Sequence, residues 1–321
     1  MMPALSVVVC TWNRAALVEG ALDALVRQEH APPHEILVVD NASPDHTGAV
    51  VQRWSARHPQ VVYLLEPRPG LSCARNAAIR RARAPLVAFT DDDVRVSPEW
   101  MTRIVTAFER WPDAACVGGP VIPEWPGPVP PWLTPRQWAP LGVQDYGTEP
   151  VRADSSNPIC LIGANLSFRR AALEVVGDFN TDVQRVGEGL GSTEDHEMHL
   201  RLWAAGHHCM YDPGLRVRAV VLPERLEKTH HRAWHFGHGG HVARMRVPEM
   251  ERTRVGTILG VPAHLIRQAA GDTWAWVRSR LLGDRVRAFE REAHLWFIAG
   301  FLRERARATL VGRRADLVDA G

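Results

Sequence analysis

Two periods of apolar residues alternate along the first half of the chain. Leu5-Ser6-Val7-Val8-Val9-Cys10 and Glu35-Ile36-Leu37-Val38-Val39 are near-continuous β-branched runs, the pattern of parallel strands covered on both faces. Between them Leu17, Ala21, Leu22, Leu25 and Val26 recur at helical spacing as far as Gln28. A helix carrying Val50, Val51 and Trp54, a strand over Val61–Leu65, a helix entered through Gly70-Leu71-Ser72, and a strand over residues 85–90 continue the alternation. Gly70 supplies the turn and Ser72 is the expected N-cap. Strands alternating with helices predict an α/β fold with a mostly parallel sheet flanked by helices.

The pattern is looser downstream. A helix runs from Pro98-Glu99-Trp100 through Ile104, Val105 and Phe108, and residues 115–119 read as the next strand. Residues 120–140 hold eight prolines with Trp125, Trp132 and Trp138, too much proline for regular structure. Flat indoles suit the C–H faces of a sugar, and they equally suit packing an irregular loop onto the domain. Residues 160–169 read as a short strand interrupted by Gly163, with a helix opening at Arg169-Arg170. Glu194 and Asp195 begin a helix whose apolar side carries Met198, Leu202 and Ala205 and which ends at Gly206. Residues 211–220 form the last strand region, and beyond about Val255 the pattern is helical: Ile258, Leu259, Val261, Leu265 and Ile266 lead to Trp274, Trp276, Val277, Leu281 and Leu282, and then to Phe289, Leu295 and Phe301. Arginines alternate with these residues. Such helices lie in a bilayer interface as a peripheral membrane contact, pack on the domain, or pair across a homodimer.

With 321 residues there is chain for one large domain or two small ones, and 45% hydrophobic content is that of a soluble globular protein. A formal charge of +2 gives no argument for nucleic acid as a partner. Lys228 is the only lysine; arginine serves elsewhere and suits bidentate phosphate contacts. Cys10, Cys73, Cys116, Cys160 and Cys209 are odd in number and widely spaced, the pattern of reduced core thiols, which favours a cytoplasmic location. The few residues before the first strand leave no room for a signal peptide, and no apolar run reaches about 18 residues.

Polar residues gather at the strand ends, where open α/β sheets bind ligands. Foremost is Asp91-Asp92-Asp93, three adjacent carboxylates closing a buried strand. Their mutual repulsion is most simply offset by a divalent cation, Mg2+ or Mn2+, shared with substrate phosphates; a solvated acidic turn is the other reading. No glycine-rich fingerprint follows the first strand, which argues against a dinucleotide-binding or P-loop protein. Asp40 is instead placed to accept hydrogen bonds from a base or ribose, with Thr11, Asn13 and Arg14 closing the other side. Asn41 to Asp45 also serve as a turn and cap for the next helix. For Glu194 and Asp195, a cap with Ser192 or Thr193 competes with a general-base role.

Residues 6–14, 38–43, 70–76 and 89–93, in this order, resemble glycosyltransferase family two, a GT-A-fold group using nucleotide-activated sugars; the resemblance covers roughly the first 245 residues. It implies a nucleotide-sugar donor, held by Asp40 at the base, with Thr11, Asn13, Arg14, Asn41, Ser43, Arg75, Asn76, Asp91 and Asp92 around the nucleotide. It also implies a divalent metal, Mn2+ or Mg2+, on Asp91 and Asp93, a donor and acceptor pocket at Gly163, Ala164 and Asn165, and Asp195 as the base of an inverting transfer, supported by Glu194. Trp125 and Trp132 join the pocket on the aromatic argument above. The acceptor is then a saccharide or lipid-linked hydroxyl in bacterial surface polysaccharide or glycolipid assembly, on the inner face of the membrane. Many relatives carry a metal-binding His where this chain has Ala219. His230, His231, His235, His238 and His241 follow closely, read mainly as helix-surface or phosphate-facing residues. The organisation expected is a nucleotide-sugar half over 1–115, an acceptor and catalytic half over 116–250, and a helical extension over 251–321. A sugar-phosphate nucleotidyltransferase and a non-catalytic nucleotide-sugar-binding protein are the alternatives.

Overall fold

A computed structural model of the chain describes residues 2–191, 193–246, 257–258 and 261–318, which form two compact units. The first unit, Met1–Pro126 with Leu141–Gly187 and Glu194–Val221, holds both main sheets. Its opening half runs β1 (Leu5–Thr11), α1 (Ala15–Val26), β2 (His34–Asp40), α2 (Thr47–Arg57), β3 (Val61–Leu65), α3 (Leu71–Arg81) and β4 (Leu86–Asp91). Then come β5 (Val94–Val96), α4 (Trp100–Arg110), β6 (Cys116–Gly118), β7 (Val121–Glu124), β8 (Val151–Ala153), β9 (Asn165–Arg169), α5 (Arg170–Val176), α6 (Glu194–Ala204), β10 (Cys209–Tyr211) and β11 (Val217–Val220).

The large sheet has the order β3-β2-β1-β4-β9-β6-β10-β8. Strands β3, β2, β1 and β4 are mutually parallel, β6 is parallel to β10, and β9 and β8 run against their neighbours. Central strands of a two-sided sheet must be apolar throughout, and Val7, Val8, Val9, Leu37, Val38, Val39, Val87 and Ala88 are fully buried. The chain grows outward from β1 to β3 and then returns to place β4 on the other side of β1. That reversal opens a crevice at the carboxyl ends of β1 and β4. A second sheet, β5-β11-β7, begins directly after the acidic triplet.

The second unit comprises Gly127–Pro140, Glu188–Thr193 and Leu222–Gly321. Its helices are α7 (Lys228–Met245), α8 (Ala263–Leu281) and α9 (Arg285–Val318). A Cβ on Gly239 would meet the backbone of Phe297, and one on Gly300 the backbone of Phe236, so α7 and α9 cross at near backbone contact. Arg232 to Glu292 at 2.6 Å and Arg244 to Glu304 at 2.8 Å tie the same pair. No described helix is long and apolar enough to cross a membrane.

Several expectations need correcting. Gly70, at φ 129°, caps α3, and Ser72 sits inside the first turn with its hydroxyl donating to the Asn180 carbonyl. The proline-rich stretch contains a strand, β7, and a 3-10 turn over Pro135–Gln137. Strand β7 tolerates Pro123 because it lies at a sheet edge, where a missing N–H costs no ladder bond. Gly163 lies before β9, outside any strand. The last strand region is two strands in two sheets, β10 and β11, separated by a turn at Asp212 to Leu215. Ile258 and Val261 belong to a short antiparallel strand pair, β12 (Thr257–Ile258) with β13 (Val261–Pro262), so the helical pattern begins only at Ala263. Ser192, Val255 and Leu259 lie outside the described residues.

The cysteines also differ from a fully reduced set. Cys116 and Cys209 face each other in the β6–β10 register and form a disulfide, leaving Cys10, Cys73 and Cys160 free. Their separation of 93 residues hid the pairing from sequence spacing.

Candidate active site

Register builds the site. Thr11 of β1 stands opposite Asp40 of β2, and Cys10 opposite Asp91 of β4, so Asp40, Thr11 and Asp91 end three neighbouring parallel strands. A tight loop follows β1. Asn13 adopts a left-handed conformation, φ 56°, and its N–H donates to the Ser43 hydroxyl at 3.0 Å, joining the loops after β1 and β2. Asp40 is buried; one carboxylate oxygen accepts from the Ser43 N–H at 2.9 Å and the other from the Tyr63 hydroxyl at 3.1 Å. Asp45 caps locally, accepting from Thr47 and from the Ala15 N–H at the start of α1.

The three acids of the triplet have different surroundings. Asp92 accepts from Thr11 Oγ1 at 2.8 Å and from Arg14 Nη1 at 2.8 Å, and Arg14 also reaches Asp93 at 3.0 Å. Burial pushes the Asp92 carboxyl up while Arg14 pulls it down. The half-buried Asp91 carboxylate accepts no hydrogen bond among the described residues. Burial, then the Asp93 charge, push its carboxyl up to about 6 against the opposing pull of Arg75. A half-buried carboxylate without a donor, beside two further acids that share a single arginine, leaves an excess of negative charge that fits a hard cation with oxygen ligands. The expected histidine position, Ala219, is buried on β11 in register with Val94, and the adjacent Val220 N–H donates to the Asp93 carbonyl. That slot is therefore beside the triplet and holds a methyl group.

The candidate base is held firmly. Arg75 is buried on α3, with its guanidinium stacked over the rings of Phe89 and Phe179. It meets Asp195 at 2.7 Å and Glu194 at 3.5 Å at the N-terminus of α6. The other Asp195 oxygen accepts from the Gly163 N–H at 2.9 Å. Any side chain at Gly163 would collide with the Arg75 guanidinium, which explains a glycine there. The Asp195 carbonyl accepts from His199 Nδ1 at 2.7 Å, and burial lowers the pKa of this imidazole.

Several sequence-selected residues have their polar atoms committed to the fold. Asn41 donates to the carbonyls of Glu66 and Arg68 and accepts from the Gly70 N–H, fixing the loop before α3. Asn76 clamps the backbone N–H and C=O of Phe179. Asn165 accepts from Trp100 Nε1 and donates to the carbonyls of Pro120 and Leu215. Ala164 is buried, and its carbonyl accepts from Thr90. Trp125 belongs to the first unit and Trp132 to the second, where Trp132 packs edge-on to His231 and Phe289. His230, His231, His235, His238 and His241 all lie on α7 in the second unit, and none is exposed. His231 is fully buried, with Nε2 bonded to the Arg225 carbonyl, which corrects the surface or phosphate-facing reading. Sequence reasoning passed over Arg185, whose charge lowers the Asp91 pKa, and Tyr63, which donates to Asp40. Arg185 lies between helices and gave no periodic signal.

These features agree with what the chain is similar to. Residues 6–177 match Glycosyl transferase family 2. The glucosyl-dolichyl phosphate glucuronosyltransferase of Haloferax volcanii is 25% identical over 225 residues, 69% of this chain and 71% of that protein. The succinoglycan biosynthesis protein ExoM of Rhizobium meliloti is 31% identical over 269 residues, 81% of this chain and 77% of that protein. The structure of the mannosyltransferase PcManGT from Pyrobaculum calidifontis, in complex with GDP-Man and Mn2+, superposes with a TM-score of 0.56 at 22% identity, covering 98% of this chain and 76% of that one, a likeness of fold. The family match spans more than half of the chain and meets the GT-A architecture and strand-end acids described above; the protein belongs to glycosyl transferase family 2 and is a glycosyltransferase.

Proposed function

We propose that the enzyme transfers a sugar from a nucleoside-diphosphate donor to an acceptor hydroxyl with inversion at the anomeric carbon. The observation that carries this reading is the alignment of Asp40, Thr11 and Asp91 at adjacent strand ends, with Asp91 lacking any hydrogen-bond donor among the described residues. Asp40 receives the base and Asp91 faces the diphosphate, with Asp93 as second carboxylate. A divalent cation held by Asp91 and Asp93 would neutralise the charge that develops on the departing diphosphate. The GDP-Man and Mn2+ in the PcManGT complex favour the same donor class and ion.

Asp195 is the base. Its partners Arg75 and the Gly163 N–H hold the carboxylate in a fixed orientation. As the acceptor oxygen bonds to the anomeric carbon, the bond to the diphosphate breaks and the hydroxyl proton passes to Asp195. That transfer comes late, when C–O bond formation has acidified the proton. Arg75 is a positioning residue for this step.

The names of the glucosyl-dolichyl phosphate and succinoglycan relatives favour a lipid-linked or polysaccharide acceptor. The test is incubation with a panel of nucleotide sugars and Mn2+, with released nucleoside diphosphate and glycosylated product measured together. Diphosphate binding without product would favour a non-catalytic binding protein, and nucleotide-sugar formation from sugar phosphate and triphosphate would favour a nucleotidyltransferase.

A further inference from the structure

Helix α8 carries an apolar stripe on its exposed side. At ~100° per residue, Ile266, Ala270, Trp274, Val277 and Leu281 fall within an arc of about 80°. All five are exposed, Trp274 at 65% and Leu281 at 82%. Arg267 and Arg278 lie just beyond one edge of the arc and Arg280 beyond the other, and all three are exposed. Arg278 stacks over the Trp274 ring at 5.4 Å, holding the indole at the rim of the stripe. The helix has one acid, Asp272, which points to the opposite side, where it is buried between Arg291 at 2.9 Å and His294 at 2.5 Å. The outward face therefore presents aliphatic and indole surface flanked by cations, with no carboxylate of its own helix to balance them.

We propose that this face of α8 docks on an anionic lipid surface, lying in the plane of the headgroups. Charge complementarity selects the occupant. Arginines on both flanks would meet lipid phosphates while Trp274, Val277 and Leu281 enter the acyl boundary, the geometry of an interfacial helix. A second copy of the chain bound through the same face would bring arginine rim against arginine rim with no exposed acid on either helix. With no described helix able to span a bilayer, the contact lies on the membrane. The inference rests on the second unit alone and stands whatever the sugar donor proves to be.

The test uses the full chain in co-sedimentation with phosphatidylcholine vesicles, with and without phosphatidylglycerol. Binding is expected to require phosphatidylglycerol and to weaken with salt. Replacing Trp274 and Leu281 together by Ser should reduce partitioning at least ~10-fold. Substituting Arg267, Arg278 and Arg280 by Gln should cost roughly five-fold per arginine. The arginine set decides the matter should the Ser variant lose its thermal transition. Absence of binding to the anionic vesicles, or unchanged binding by the arginine variant, overturns the proposal. So does a wild-type dimer that the Ser substitutions convert to monomer without any vesicle binding, which would assign the face to a second copy.

Discussion

Arg75 and Asp195, 120 residues apart in sequence, meet at 2.7 Å, and this contact joins α3 to the start of α6. Phe89 and Phe179 hold the guanidinium from the other side. A buried arginine confined in this way fixes the carboxylate that we assign as base, and most of its value lies in geometry, because desolvation offsets much of the Coulomb attraction.

Asp195→Asn should leave donor affinity within about two-fold and reduce kcat by roughly 10²–10⁴. The amide keeps the shape and the Gly163 contact, and loses the proton acceptor together with the charge that meets Arg75. Steady-state kinetics beside calorimetric donor binding measures both, and near wild-type turnover would falsify the base assignment.

Arg75→Ala should destabilise the fold by about 3–5 kcal/mol, because it leaves Asp195 and the buried Glu194 without their shared cation. Urea unfolding gives the loss directly. In a double-mutant cycle with Asp195→Asn, additive losses would show that the pair carries no coupling.

Cation and nucleoside diphosphate should bind with reciprocal, positive coupling of at least about tenfold. Asp93→Ala should remove it. Ala219→His, beside Val94 in the β5–β11 register, should raise Mn2+ affinity in nucleotide-free protein by adding an imidazole near the triplet. Titrations of nucleotide at several Mn2+ concentrations test this, and a nucleotide affinity indifferent to metal would remove the triplet from consideration as the ion site.

Stability should fall as pH drops from 7 towards 5. Burial lowers His231 from 6.5 to about 4 and His241 likewise, so the folded state binds their protons later than the unfolded chain does. Their contribution is fully present above about 6.5 and is lost on acidification through that value towards 4. Urea midpoints across this range should decline, with a shallower slope in His231→Gln. A flat wild-type profile between pH 7 and 5 would contradict the assignment of neutral, buried imidazoles.

Reduction of the Cys116–Cys209 disulfide should cost about 4 kcal/mol, given the long loop it closes. Thiol titration of denatured, unreduced protein should find three free cysteines, and five would mean that the pair is open in solution.

The sequence by itself determined the alternation β1-α1-β2-α2-β3-α3-β4 and the residues at its strand ends, because local periodicity, β-branched runs and turn residues are read within a few positions of one another. It also carried the family, through the order of several short motifs. Tertiary structure decided how those ends were used. Thr11, Asp40 and Asp91 come together through strand register, and Asn13 joins them through its bond to Ser43. Asn41, Asn76 and Asn165 resemble ligand-facing residues in sequence, yet their amides satisfy buried backbone groups contributed by distant segments. The splitting of residues 211–220 between two sheets, the Cys116–Cys209 bond and the Arg75–Asp195 contact are likewise long-range. Each depends on which strand or helix becomes a neighbour, a choice made by packing the whole core that no local window of sequence records.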